Sequence, residues 1–233
     1  MASTSTHAPH PEQTEQRDAR LTFNAGDGLL YGADYFPEQW PESIQDEDLR
    51  LLQDCGMNFV RLGIFAWARL NPAPGEWNFD WLDRVLDRVE AAGLHLCLAT
   101  ATASPPAWLA QRYPEVRPVT REGTTLYHGS RQCYTPNSPA FREHAGRLVE
   151  RMVQRYGGRA NLVLWNINNE LACHHPEGSY GEADTTAWRE WLARKYAGIE
   201  ALNQAWGTDF WAQRYRDWPE ILPPRSTPTF VNP

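Results

Sequence analysis

The sequence predicts an α/β fold, a (β/α)8 TIM barrel of which about the first four βα units are present. Short apolar runs alternate with amphipathic helical patterns, as in parallel βαβ units. No glycine-rich phosphate loop follows the first predicted strand, as a dinucleotide-binding sheet would require. Polar and aromatic residues gather instead just after the predicted strands, where a barrel places its active site.

The first two units are predicted from two apolar runs and one helical segment. Residues 29–33 form the first predicted strand. Residues 42–55 read as a helix that stops at Gly56, because glycine is a favoured residue just beyond a helix. Residues 57–62 form the second predicted strand.

The second helix has the clearest periodicity. It opens near Asp80, which can cap the first turn, and Gly93 ends it. Apolar residues at i, i+3, i+4 and i+7 predict its buried face, namely Leu82, Val85, Leu86 and Val89. Residues 94–99 then form the third predicted strand.

The third and fourth units are separated by a long insertion. Residues 101–109 are expected to be a loop, because Pro105 and Pro106 lack amide donors. The longest helix follows Ser138-Pro139, a favoured cap and first-turn pair. Its predicted buried face is Phe141, Ala145, Leu148, Val149, Met152 and Val153. The fourth strand is predicted over residues 162–166, with further helices over 185–196 and 199–206.

Length limits how much of a barrel this chain holds. A complete barrel takes about 250 residues and eight strands, whereas four strands with their helices occupy nearly all of the 233 residues. We therefore expect residues 1–26 to be a flexible polar tail and residues 27–233 to be the N-terminal part of a barrel that is cut short. Such a half-barrel would expose the edge of its fourth strand.

Composition excludes several classes of partner. The 22 Lys and Arg against 29 Asp and Glu give a net charge of −7, which argues against nucleic acid as a partner. No apolar stretch is long enough to cross a membrane. The four cysteines lack disulfide or metal-ligand spacing, and the first residues lack the apolar core of a signal peptide. Together these features predict a cytoplasmic protein.

The residues after the fourth strand carry the chemistry. Asn168, Asn169 and Glu170 follow an apolar run directly. At a barrel rim, partial desolvation would raise the pKa of Glu170 towards that of a general acid, and Asn169 could bind a sugar hydroxyl. The alternative is that Glu170 merely caps the next helix. The pattern alone leaves both readings open.

Six ordered segments carry a resemblance to a known family. They are GADYFPEQW (32–40), MNFVRLGIFAWARLNPAPGEWNFDWLD (57–83), ATASPPAWL (101–109), HGSRQCYTPNSPAFRE (128–143), LWNINNE (164–170) and LNQAWGTDFW (202–211). From about Leu30 to Asn232, the sequence resembles the N-terminal part of family 42 glycoside hydrolases, which are retaining β-galactosidases with a (β/α)8 catalytic domain. The resemblance implies a terminal β-galactoside as the substrate.

The resemblance also implies roles for three residues. Glu170 matches the acid/base, which protonates the glycosidic oxygen and then activates water. Asn169 matches the residue that holds the 2-hydroxyl of the sugar. Arg131 matches an arginine that binds the galactosyl unit, for which its fork of donors is suited. The alternative for Arg131 is an ion pair that holds its loop.

The second carboxylate of a retaining mechanism is missing from the chain. In the family the nucleophile follows the seventh strand, beyond residue 233. The other candidate carboxylates are Asp34, Glu38, Glu76 and Asp80, and none occupies the matching place. We expect this chain alone to have no turnover. Two alternatives remain, a catalytically silent carbohydrate-binding fragment and a related glycosidase for another sugar, such as an arabinosidase or a mannosidase.

No cofactor or metal is expected. Some family members bind a structural zinc through cysteines, but one matched position is Thr135 here, and Cys173-His174-His175 lacks a fourth ligand. Family members are often trimers, so a homo-oligomer is an open expectation. Among the aromatic residues, Trp67 could equally line the pocket or pack beneath the loops.

Overall fold

The computed structural model describes residues 28–171, 173 and 178–228, and its centre is one parallel sheet. The strands are β1 (Gly32–Tyr35), β2 (Phe59–Leu62), β3 (His95–Ala99) and β4 (Leu162–Asn166). Each strand pairs with the next one along the chain, in the order β1-β2-β3-β4. This is the order predicted for consecutive βα units of a barrel. The predicted tail, residues 1–26, lies outside the described residues.

Helices connect and follow the strands. They are α1 (Glu42–Asp54), α2 (Trp67–Leu70), α3 (Asp80–Ala91), α4 (Ala107–Arg112), α5 (Pro139–Tyr156), α6 (Glu182–Lys195) and α7 (Ile199–Trp206). Single 3-10 turns lie at Pro37–Gln39, Pro114–Val116, Phe210–Ala212 and Trp218–Glu220. None of the helices in the described ranges has the length and apolar character needed to span a membrane.

The first strand begins later than the sequence pattern predicts. We predicted residues 29–33, whereas β1 starts at Gly32, which pairs with Phe59 of β2. A Cβ atom at Gly32 would overlap the carbonyl oxygen of Phe59, so the close approach of the two strands requires glycine here. Leu29 therefore precedes the sheet and is exposed. The bounds of β4 agree with the prediction.

Two details of the helix starts differ from expectation. Asp80 is the first residue of α3 and does not cap it, because the cap position belongs to Phe79 and no side chain bonds there. The helix nevertheless buries its whole predicted apolar stripe. The predicted loop over residues 101–109 is shorter, since α4 begins at Ala107 directly after Pro106. A proline is compatible with the position just before a helix.

Helix α5 confirms its predicted start and corrects its buried face. The Ser138 hydroxyl accepts a hydrogen bond from the backbone N–H of Phe141 at 3.3 Å. Val153, predicted to be buried, is 47% exposed, and Tyr156 is buried instead. Tyr156 lies four residues after the buried Met152 and therefore on the same face, whereas Val153 is rotated by about 100°.

The outer strands leave open edges in the described part of the chain. Neither β1 nor β4 pairs with a further strand there. Leu164 on β4 is half exposed, and Ile167 just beyond it is 75% exposed. One face of the sheet borders an open cavity of about 540 Å³ lined by residues such as Ala33, Arg61 and Leu164. This is the geometry expected of part of a barrel whose interior faces that cavity.

Candidate active site

The structure brings two of the three predicted site residues into direct contact. Arg131 lies in the loop before α5, and Glu170 lies in the loop after β4. A guanidinium nitrogen of Arg131 lies 2.8 Å from the Glu170 carboxylate. Asn169 lies beside Glu170 in the chain and is buried. The backbone N–H of Asn169 donates to the side-chain oxygen of Asn168 at 2.6 Å.

The surroundings of Glu170 differ from those expected from the sequence. Its side chain is 46% exposed in this chain, so the expected partly dry environment is not formed by these residues alone. The next helix in the described residues begins at Glu182, so Glu170 does not cap it. Its φ of 47° lies in the left-handed region, which is unfavourable for a residue with a side chain. Left-handed backbone of this kind persists when surrounding contacts hold it.

Hydroxyl groups from neighbouring loops hold the segment between β4 and Glu170. The Thr100 hydroxyl donates to the carbonyl oxygen of Ile167 at 2.8 Å. The side-chain amide of Asn168 donates to the Tyr134 hydroxyl at 2.9 Å. The Tyr134 ring stacks on Phe141 of α5, and burial raises the pKa of its hydroxyl. The segment is therefore tied both to the end of β3 and to the start of α5.

Gln132 is a site residue that the sequence analysis missed. Its side-chain amide donates to the carbonyl oxygen of Asn169 at 2.8 Å and also to the carbonyl oxygen of Glu170. Gln132 is only 6% exposed. No local pattern marks this contact, because it joins residues 38 positions apart. Its place next to Arg131 was the one available signal.

The loop that carries Arg131 and Gln132 is anchored at its far end. The buried Asp184 of α6 accepts hydrogen bonds from the Thr135 hydroxyl and, at 2.8 Å, from the Asn137 amide. The second carboxylate oxygen of Asp184 accepts from the backbone N–H of Gly181 at 3.1 Å. Thr135 is therefore held by a carboxylate.

Within the described ranges, no group of three His, Cys, Asp or Glu side chains could hold a metal ion. Cys173 is exposed. His174 and His175, which with Cys173 are not expected to form a zinc site, lie outside the described residues.

The other acidic candidates have separate surroundings. Asp34 pairs in register with Arg61 across β1 and β2, and their side chains form two hydrogen bonds, one of 2.7 Å. The bonded carboxylate raises the pKa of Arg61. Burial raises the pKa of Glu38, and its two carboxylate oxygens are buried and accept no hydrogen bond in the described part of the chain. Glu76 is an exposed turn residue.

Trp67 has a structural position. It is fully buried and packs against Phe141, with a ring-centre separation of 5.9 Å. Of the two alternatives that the sequence left open, the structure therefore supports packing beneath the loops. Phe36 and Phe65, from the loops after β1 and β2, stack on each other at 5.9 Å.

Known proteins resemble nearly all of the described chain. The family model for glycoside hydrolase family 42, described as β-galactosidase, matches residues 34–233. A β-galactosidase from an Arthrobacter species is 50% identical over 211 residues, which cover 91% of this chain and 30% of that protein. The β-galactosidase bgaB of Geobacillus kaustophilus is 46% identical over 210 residues, covering 90% and 31% of the two chains.

Solved structures agree with these sequence relatives. The β-galactosidase of the psychrophilic Marinomonas ef1 superposes with a TM-score of 0.84 at 42% identity, covering 88% of this chain and 31% of that one. The β-galactosidase of the haloarchaeon Halorubrum lacusprofundi gives a TM-score of 0.83 at 38% identity, with coverage of 88% and 30%. The chain thus spans about 30% of the length of the relatives that it matches.

Proposed function

The chain belongs to glycoside hydrolase family 42, and on that premise we propose that it supplies the proton-donating half of a retaining β-galactosidase active site. Its sheet is the first four strands of a (β/α)8 barrel, and the site lies at the carboxyl ends of those strands. The observation that carries the proposal is the contact of 2.8 Å between Arg131 and Glu170. Two residues so close can both touch one sugar unit.

The proposed reaction removes a terminal non-reducing β-D-galactose residue. Glu170 donates a proton to the glycosidic oxygen as the leaving group departs, and its carboxylate then takes a proton from the water that releases galactose. Arg131 presents a planar fork of N–H donors to the galactose hydroxyls. Asn169 binds the 2-hydroxyl, a contact that strengthens as positive charge develops on the sugar.

The nucleophile is proposed to come from outside this chain. A retaining glycosidase places its two carboxyl groups about 5–5.5 Å apart. Among the described carboxylates, Asp34 is engaged by Arg61, and Glu38 is turned into a buried environment. We therefore propose that the chain alone binds galactose weakly and does not hydrolyse galactosides, and that the rest of a barrel restores turnover.

The test compares the chain with a chimera in which it is followed by the remainder of the Arthrobacter β-galactosidase. The chain should show no hydrolysis, and the chimera should hydrolyse lactose. In the chimera, Glu170→Gln should lower kcat/KM for lactose by about 100- to 10,000-fold, because the poor leaving group needs the proton. Nitrophenyl galactoside, which has a good leaving group, should be affected far less.

A matched control is Glu143→Gln, which changes an exposed glutamate of α5 that pairs with Arg147. It should leave kcat/KM for both substrates unaffected. If Glu170→Gln hydrolyses lactose at the unaltered rate, the acid/base assignment is wrong. If the chimera binds galactose by calorimetry but turns over no substrate, the alternative of a catalytically silent carbohydrate-binding fragment replaces the proposed function.

A further inference from the structure

Gln132 reaches the backbone of the catalytic segment through a single side-chain amide. Its Nε2 atom donates to the carbonyl oxygens of two consecutive residues, Asn169 at 2.8 Å and Glu170. An amide NH2 group carries two donors, so these two carbonyls use both of them. Because Gln132 is almost fully buried, water cannot readily take over either bond.

The backbone of Gln132 is itself held in place. Its N–H donates to the carbonyl oxygen of Ala103 at 2.7 Å, and its carbonyl oxygen accepts from the N–H of Tyr134 at 2.9 Å. Its φ of 61° is left-handed, like that of Ala101 in the loop after β3. The backbone of Gln132 thus bonds the loop before α5 to the loop after β3, independently of the bonds that its side chain makes.

Two consecutive residues, Arg131 and Gln132, contact Glu170, one at its side chain and the other at its backbone. Arg131 contacts its carboxylate, and Gln132 bonds its backbone carbonyl. The left-handed φ of Glu170 is unfavourable for a residue with a side chain, so the surrounding contacts must hold it. Loss of the Gln132 bonds would allow the peptide to rotate, and the carboxylate would move with it.

We propose that Gln132 is a positioning residue that sets the direction of the Glu170 carboxylate through the two backbone carbonyls. This inference rests on the proposed role of Glu170 as the acid/base. It assigns Gln132 no contact with the substrate and no proton transfer of its own.

The test uses the chimera with Gln132→Met, which retains the length of the side chain but removes both donors. A displacement of about 1 Å can cost about 100-fold in rate, so kcat for lactose should fall by about 10- to 100-fold. KM should change by less than about threefold, because Gln132 does not touch the substrate. The kcat/KM for nitrophenyl galactoside reports only the first step, which depends little on the acid for this leaving group, and should fall by less than about threefold.

The matched control is Gln45→Met. Gln45 of α1 is also buried, and its amide donates to a backbone carbonyl, that of Pro37, at 3.3 Å. This variant should leave unaltered the ratio of kcat/KM for lactose to kcat/KM for nitrophenyl galactoside. A variant that merely destabilises the fold would lower kcat/KM for both substrates by the same factor. If Gln132→Met does so, the positioning role is wrong. An unaltered lactose rate also overturns it.

Hydrogen exchange on the 233-residue chain gives a readout that does not need activity. Loss of the bonds to the two carbonyl oxygens should free their peptide groups, so the amides of residues 168–170 should exchange about tenfold faster in Gln132→Met. Unaltered exchange there contradicts the inference even if the variant chimera fails to fold. Glu170→Gln is assayed in parallel. If it shows no leaving-group dependence while exchange at 168–170 does increase, the proposed function fails and the Gln132 contact stands.

Discussion

Arg131 and Glu170 meet at 2.8 Å although one belongs to the loop before α5 and the other to the loop after β4. The sequence left two alternatives open for Arg131, an ion pair that holds its loop and a contact with the sugar, and this contact is compatible with both. It is an ion pair between loops, and under the proposed function it also places the guanidinium beside a sugar bound at Glu170. Replacement of Arg131 distinguishes a residue that only stabilises a loop from one that also binds substrate.

Replacement of Arg131 should affect binding of galactosides. In the chimera, Arg131→Ala should lower kcat/KM for lactose and nitrophenyl galactoside alike, by about 10- to 100-fold, as one or two charge-assisted hydrogen bonds are lost. Arg131→Lys should recover only part of this, because a point charge cannot replace the planar fork. Steady-state kinetics provide the measurement. Arg147→Ala, which breaks an exposed pair on α5, is the control. Full activity of Arg131→Ala would restrict Arg131 to a structural role.

Asp184 should stabilise the loop that carries Arg131. Asp184→Ala leaves the Thr135 hydroxyl, the Asn137 amide and the Gly181 N–H without their acceptor, at a cost of about 3 kcal/mol. Urea unfolding of the chain measures this loss. Glu182→Ala, an exposed residue of the same helix turn, should cost less than about 1 kcal/mol. Equal losses of unfolding free energy in the two variants would show that the hydrogen bonds to Asp184 add nothing beyond its interaction with the helix dipole.

Glu38 should make stability depend on pH in a direction opposite to that of most carboxylates. Burial raises its folded-state pKa, so its favourable contribution is complete below the unfolded pKa of about 4.3 and is lost as pH rises through the folded pKa. Glu38→Gln is neutral at every pH and should raise the urea midpoint of the chain at pH 7, with little difference near pH 4. Glu47→Gln, an exposed change on α1, should shift neither midpoint. A lower midpoint for Glu38→Gln at pH 7 would mean that the buried carboxylate is stabilising.

The two faces of α5 should differ in their sensitivity to truncation. Leu148→Ala removes a fully buried side chain and should cost about 2–5 kcal/mol. Val153→Ala should change stability by no more than about 0.5 kcal/mol, because Val153 faces solvent. The free energy of unfolding in urea distinguishes the two. A cost above 1.5 kcal/mol at Val153, on the order expected for a buried residue, would contradict the observed burial.

Much of the framework follows from patterns within a few residues. The apolar stripe of α3 and the serine cap of α5 depend on neighbours within one or two helical turns, so their residues identify them directly. The position of Glu170 after an apolar strand is equally local, and with the six matching segments it identified the family and the candidate acid.

The remaining features depend on residues that are distant in the chain. The start of β1 is set by the close pairing of Gly32 with Phe59, and the choice of Tyr156 over Val153 is set by what α5 packs against. The contact of Gln132 with Glu170, together with the left-handed backbone of Glu170, exists because folding brings separate loops to one edge of the sheet. Local periodicity carries no information about such distances. Packing of the sheet and helices determines them, and with them the geometry of the site.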